Sequence, residues 1–109
     1  EEALKDVIYP NKKKEITPSY IIEVVAEHFG ISPEDIASKK RTAELVQPRQ
    51  VVMYLCRQLT EASLQNIAKA IGKKDHTTVL HGIKTITKEM ETDEELKNKI
   101  DIIKKKIMP

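Results

Sequence analysis

Residues 64–90 read LQNIAKAIGKKDHTTVLHGIKTITKEM and contain two helical patterns joined by a short break. The first pattern runs from Leu64 to Ile71, with apolar residues at helical spacing. The break is the segment Gly72-Lys73-Lys74, and glycine readily takes the left-handed conformation that a turn between helices often needs. The second pattern is longer and runs from Asp75 to about Met90. Two helices with a glycine joint of this kind predict a helix-turn-helix.

The second of these helices has two distinct faces when its residues are placed at about 100° per residue. One face carries the apolar stripe Val79, Ile83, Ile86 and Met90, which is predicted to face the core. The opposite face carries Thr77, His81, Lys84 and Lys88. An α-helix fits the major groove of B-DNA, where Thr, His and Asp side chains can bond base edges. The helix start at residues 75–78 also points backbone N–H groups toward any phosphate, so this face predicts contact with double-stranded DNA.

Plainer interpretations of the same residues stay open at this point. Two threonines at a helix start commonly act as caps, and His76 falls near the apolar side of the helical wheel, where a core histidine is common. Catalysis is disfavoured, because His76 and His81 lie five positions apart and point in different directions rather than converging as metal ligands. A protein-interaction module that docks the helix from Asp75 is another open alternative, and a repressor or transposase module of similar helix arrangement is a third.

The rest of the chain predicts helices and no sheet, since no run alternates apolar and polar residues. A helix is expected from the cap Thr17 to Gly30, and a short one from Ser32, with Asp35 completing a capping box. Residues 38–48 read as a basic loop, followed by a core helix to about Ala62 whose apolar positions are Val52, Leu55, Leu59 and Ala62, with Met53 and Cys56 beside them. A last helix, capped by Thr92 or Asp93, continues through Ile107. The predicted fold class is a compact all-α bundle in one domain, residues 15–109, preceded by a linker at residues 1–14.

The net charge of +2 hides an uneven distribution along the chain. Residues 1–37 carry four lysines against eight acids, whereas residues 38–89 carry ten basic residues against four acids. The loop residues Lys39, Lys40 and Arg41 lie in this basic part, and arginine in a narrow minor groove is a common second contact beside a recognition helix. A basic middle segment is typical of a surface that binds a polyanion. A loop that is basic only for solubility is the simpler alternative.

Cysteine usage and hydropathy bear on the compartment. The single Cys56 cannot form an internal disulfide, which is typical of a reducing environment. No stretch approaches the roughly 20 apolar residues that span a bilayer, and the acidic start EEALKD does not resemble a signal peptide. We therefore expect a cytoplasmic protein without integral membrane association.

The segment GKKDHTTVLH at residues 72–81 resembles the signature GGRDHTTVLH of the bacterial DnaA family of replication initiators. The basic Ser38-Lys39-Lys40-Arg41 and the element Pro48-Arg49-Gln50 also resemble that family, with the spacing between them preserved. The resemblance covers the chain from about Thr17 to its C-terminus. It implies a Trp-repressor-like DNA-binding C-terminal domain that recognises the DnaA box, TTATNCACA, at the replication origin. Residues 1–14 would then be the tail of a linker helix.

The resemblance also implies residue roles. Base contacts would come from Asp75, His76 and Thr77 in the major groove, Thr78 and His81 beside them, and Arg41 in the minor groove. The resemblance implies contacts to the DNA backbone from Lys39, Lys40, Arg49, Gln50, Arg57, Leu64 and Lys74. Independently of the resemblance, the positive charges of Lys73 and Lys84 are expected to neutralise phosphates. The family's assignment of His76 takes precedence over the helical wheel, which is least accurate in a first turn.

Some residues depart from the family pattern. Lys73 and Lys74 replace the usual glycine and arginine, so a bidentate phosphate grip becomes a point-charge contact. Ala43, Glu44 and Gln47 stand where the family's loop is often more basic, which predicts weaker phosphate contacts. No G-x-x-x-x-G-K-[ST] loop is present, so we expect no cofactor here; ATP or ADP with Mg²⁺ belongs to the family's separate AAA+ domain. Regulatory proteins and other initiator subunits are further expected partners of the family.

Overall fold

The computed structural model describes residues 16–40 and 42–108. Their regular structure comprises helices α1 (Pro18–Phe29), α2 (Pro33–Ile36), α3 (Val46–Leu59), α4 (Leu64–Ala70), α5 (His76–Thr92) and α6 (Glu94–Ile107), with a 3-10 turn (Ala43–Leu45) directly before α3. Within these two ranges no strand occurs, which confirms the predicted all-α class. The linker predicted for residues 1–14 lies outside the described residues.

Three predicted helix ends are confirmed by their capping bonds. Thr17 Oγ1 accepts from the Tyr20 N–H (3.2 Å), and Pro18 follows as the first residue of α1. That helix ends at Gly30, whose φ of 70° lets its own N–H and that of Ile31 bond carbonyls of the last turn. Asp93 caps α6 by accepting from the Leu96 N–H (3.1 Å).

The predicted capping box of α2 is wrong in its second partner. Ser32 Oγ accepts from the Glu34 N–H (3.2 Å) and donates to the Glu34 carboxylate (2.6 Å), so Ser32 caps the helix through Glu34 and not through Asp35. The Asp35 carboxylate instead pairs with the Lys40 ammonium (3.0 Å) across the following loop.

Both predicted ends of α3 are also corrected. The helix begins at Val46 rather than after Pro48, because the 3-10 turn leads into it and a proline in the first helical turn needs no N–H. It ends at Leu59 rather than near Ala62, because Thr60 turns to an extended backbone and its hydroxyl donates to the Cys56 carbonyl (2.6 Å).

Helix α3 lies at the centre of the core, packed against α1 on one side and α5 on the other. Helix α4 packs on α5, and α6 closes the bundle against α1 and α5. Val52, Leu55 and Cys56 are fully buried and Met53 nearly so, as predicted, whereas Leu59 and Ala62 are half-buried at the edge. Since full burial of a Val or Leu side chain contributes about 1.5–3 kcal/mol, this helix supplies much of the driving force that holds α5 in place.

Candidate nucleic-acid interface

Helices α4 and α5 and the turn between them form the predicted helix-turn-helix. Ser63 caps α4 by accepting from the Asn66 N–H (3.1 Å), and Ile71 is fully buried at the end of that helix. The turn closes through Gly72, with φ of 74°, and the Lys73 N–H bonds the Ala68 carbonyl (2.8 Å). A left-handed residue followed by this bond is the usual way in which a helix C-terminus satisfies its last carbonyls, so the turn is fixed by its own hydrogen bonds.

The same turn lies directly against the loop that follows α2. A Cβ atom added to Gly72 would collide with the carbonyl oxygen of Ala37 and come within 3.1 Å of the Ser38 carbonyl oxygen. Only a glycine lets two backbone segments approach this closely. The turn of the helix-turn-helix and the start of the basic loop are therefore neighbours in the fold.

The first turn of α5 is exposed and polar. The Asp75 carboxylate caps the helix by accepting from the Thr77 N–H (3.0 Å). Hydrogen bonds from the Thr77 N–H and hydroxyl lower the pKa of Asp75, and His76 contributes in the same direction. His76 has 55% of its side chain exposed, with Nδ1 3.8 Å from Asp75 Oδ1, so the core-histidine alternative is wrong. Thr77 and Thr78 are exposed beside it.

Farther along α5 the two predicted faces are confirmed in outline. Val79 and Ile86 are fully buried, and Ile83 and Met90 are half-buried at the edges of the apolar stripe. On the opposite side, Thr77, His81, Lys84 and Lys88 are all exposed. The polar face of α5 is therefore exposed on a helix whose opposite face is packed in the core. Such a helix can present its polar side chains to a partner.

Two exposed apolar side chains near this face were missed by the sequence analysis. Leu80 is 43% exposed and follows Val79 on α5, and Val46 is 51% exposed at the start of α3. The helical wheel could have found Leu80, which is about 100° away from the buried stripe. Nothing in the sequence distinguished Val46, because its segment was interpreted as loop.

A shallow cavity of about 160 Å³ joins the start of α3 to the first turns of α5. It brings together several of the predicted contact residues with apolar neighbours; its lining is Val46, Arg49, Gln50, Met53, Lys73, Thr78, His81 and Gly82. Gly82 lies directly against the Met53 side chain, since a Cβ atom at this position would meet Met53 Sδ. Gln50, Thr78 and His81 therefore belong to one continuous surface.

The remaining predicted residues are distributed around this surface. Lys39, Lys40 and Lys74 are exposed in the loop and the turn, and Arg57 is exposed in the last turn of α3. Leu64 is half-buried in the first turn of α4. Lys84 lines a separate shallow groove on α5 with Ile83, Thr87, Lys88 and Glu91, away from the cavity. Arg41 lies outside the described residues.

Arg49 occupies a different position from the one that a phosphate ligand requires. Its residue surface is only 5% exposed, and its guanidinium donates to four backbone carbonyls. The bonds are from Nε to Ile36 (2.9 Å), from Nη2 to Asp35 (2.9 Å) and Ser38 (2.8 Å), and from Nη1 to Lys40. Burial lowers the pKa of Arg49, while the Asp35 charge acts in the opposite direction. The structure thus directs Arg49 inward, which corrects the expected orientation toward DNA.

In residues 16–40 and 42–108 we find no cluster of three or more His, Cys, Asp or Glu side chains arranged to hold a metal ion. Within the same ranges, no helix combines the length and the apolar character needed to cross a membrane.

Comparison with known proteins identifies relatives over the whole chain. The chromosomal replication initiator protein DnaA of Lachnoclostridium phytofermentans is 50% identical over 109 residues, which are all of this chain and 24% of that protein. Proteins of the same name from Geobacter sp. strain M21 and Geobacter sulfurreducens are each 43% identical, over 97% and 98% of this chain and 23% and 24% of their own length. The chain therefore spans about a quarter of the length of these relatives.

A solved structure described as a DNA replication initiation factor has the same fold. It superposes with a TM-score of 0.73 at 37% sequence identity, over 83% of this chain and 27% of the other. The family model for the bacterial DnaA protein helix-turn-helix matches residues 18–86, from the start of α1 through the buried Ile86 of α5. The match includes α4, the first eleven residues of α5, the basic loop and the whole of α3, and the chain belongs to the bacterial DnaA helix-turn-helix family.

Proposed function

We propose that this chain binds a specific double-stranded DNA site of the DnaA-box type, TTATNCACA, with α5 in the major groove. The observation that carries the proposal is the exposed polar first turn of α5. It consists of Asp75, His76, Thr77 and Thr78, and the helix that follows has its other face buried. Side chains of these types bond base edges in the major groove, and a helix N-terminus favours phosphate. Family membership and the relatives named for replication initiation support the same conclusion.

In this proposal Asp75, His76 and Thr77 read base edges, while Thr78 and His81 contact bases or phosphate beside them. Arg41 enters the adjacent minor groove. Phosphate contacts come from Lys39, Lys40, Gln50, Arg57, Lys73, Lys74 and Lys84, with Leu64 approaching the backbone at the start of α4. Such contacts position the protein on the duplex, whereas the base contacts select the sequence.

In a longer protein that contains this chain, the role of the chain would be DNA binding and not catalysis. A longer chain that carries an AAA+ domain with ATP or ADP and Mg²⁺ would use this module to mark the replication origin and to start chromosomal replication in the cytoplasm. Other initiator subunits and regulatory proteins are its expected further partners.

The test is fluorescence anisotropy with a labelled duplex that carries TTATCCACA and with a scrambled duplex of the same composition, each at about 50 mM and about 200 mM salt. We expect binding to the box at least about tenfold tighter than to the scrambled duplex, since specific complexes exceed non-specific ones by larger factors than this. Both affinities should fall as salt rises, because phosphate contacts release counterions.

A protein-interaction module is the second candidate, and the exposed Leu80 beside the polar face of α5 is the observation that favours it. Equal and salt-insensitive binding to both duplexes would support this candidate and contradict the proposed DNA reader. A box preference that weakens with salt would exclude it as the main role of α5.

A further inference from the structure

Arg49 is the one residue that is both charged and buried in the part of the chain that the structure describes. Four of its five N–H groups donate to carbonyls of residues 35, 36, 38 and 40, which span the end of α2 and the start of the basic loop. Burying a charge without partners is very costly, so these carbonyls are what makes the position tolerable. These four bonds hold the start of the basic loop to the Arg49 guanidinium.

The same segment also lies against the helix-turn-helix, and the Ser38 carbonyl oxygen that accepts from Arg49 is one of the atoms beside Gly72. Ala37 and Ser38 present their carbonyls to Gly72, where only a glycine fits. The loop is thus held between α3, through Arg49, and the turn that precedes α5. Local bonds support it further, since Ser38 Oγ donates to the Asp35 carbonyl (2.7 Å) and accepts from the Lys40 N–H (3.2 Å).

We infer that Arg49 is a positioning residue that fixes the basic loop in register with helix α5, so that the two DNA-reading elements reach adjacent grooves together. The inference rests on the proposed function and gives Arg49 a role other than the phosphate contact that the family resemblance implies. Arg49 acts through the loop and not as a phosphate ligand. Arginine suits this task because its planar fork presents several donors at once, whereas lysine would offer a single charged point.

The experiment compares Arg49→Met in two backgrounds by fluorescence anisotropy. One background is the unmodified chain, and the other carries Lys39→Ala, Lys40→Ala and Arg41→Ala, which removes the basic side chains of the loop. If Arg49 acts through the loop, Arg49→Met weakens box binding by about tenfold or more in the first background and by less than about threefold in the second. A similar factor in both backgrounds would overturn the inference, because a phosphate ligand contributes independently of the loop.

Arg57→Met is the matched control. Arg57 lies on the same helix but is exposed. Arg57→Met should weaken box binding by the same factor in both backgrounds. Thermal unfolding of every variant establishes that the comparison is made between folded proteins.

A measurement on the unmodified protein tests the inference even if Arg49→Met does not fold. With ¹⁵N-labelled arginine, the Arg49 Nε–H should exchange with solvent at least about tenfold more slowly than the Arg57 Nε–H, both before and after box DNA is added. Exchange of the Arg49 Nε–H as fast as that of Arg57 in either state would overturn the inference. If the unmodified chain showed no box preference, the proposed function would fail, while this exchange measurement would still decide whether Arg49 holds the loop.

Discussion

Gly72 has two constraints at one position, a left-handed backbone and contact with the Ala37 carbonyl. Gly30 has the same backbone conformation but open space around it, so the two glycines form a matched pair. We expect Gly30→Ala to lower the free energy of unfolding by about 1–2 kcal/mol through backbone strain alone. Gly72→Ala should cost at least about 1 kcal/mol more, because the added methyl group forces the loop away from the turn. Urea unfolding of both variants measures these losses. An equal loss of unfolding free energy in the two variants would show that the contact with Ala37 does not affect stability.

Thr77 is exposed in the first turn of α5, and its substitution tests most directly whether α5 recognises a DNA sequence. Thr77→Ala should change stability by no more than about 0.5 kcal/mol, as for other surface substitutions. It should cost about 1–3 kcal/mol of box binding while binding to the scrambled duplex changes little. Thr87→Ala is the control, since Thr87 is exposed almost three turns farther along the same helix. An unchanged box preference in Thr77→Ala would show that α5 is not the recognition helix.

The pairing of α1 with α6 makes stability depend on pH through His28. Burial, together with the positive charges of Lys106 and Lys99, lowers the pKa of His28 below its usual 6.5. The unfolded chain therefore binds this proton more readily than the folded one, so the free energy of unfolding should fall as pH drops through 6.5 toward the lowered value. His28→Gln should show a shallower decline in urea unfolding between about pH 7.5 and pH 5.5. An identical decline in both proteins would contradict this account.

Helix boundaries were predictable where the signal was local. Thr17, Gly30 and Asp93 end or begin helices through bonds to residues within five positions, and each was identified from the sequence. The start of α3 was missed because a 3-10 turn, which has no clear sequence signature, precedes it. The direction of Arg49 was missed for a different reason: its acceptors lie 9–14 residues away, and only the folded loop brings them to the guanidinium. The exposed polar face of α5 was predictable, since helical periodicity alone separates its two faces.

At the scale of the whole molecule, helix α3 holds Cys56 fully buried in the core. Desolvation raises the pKa of Cys56 to about 12, so the reactive thiolate is scarce as well as inaccessible. We expect the folded protein to resist alkylation by iodoacetamide and the rate of labelling to rise in parallel with global unfolding in urea. Rapid labelling under native conditions would show that the bundle opens locally around α3, contrary to the single core described above.

The acceptors of Arg49 are peptide oxygens, and every amino acid supplies the same ones. The bonds from Arg49 therefore depend on the path of the loop backbone and not on the side chains at residues 36, 38 and 40. Substitution of Lys39 or Lys40, whose side chains are exposed, should therefore leave these backbone bonds in place. If the loop contacts DNA as proposed, its side-chain contacts can change while the scaffold that Arg49 holds stays the same.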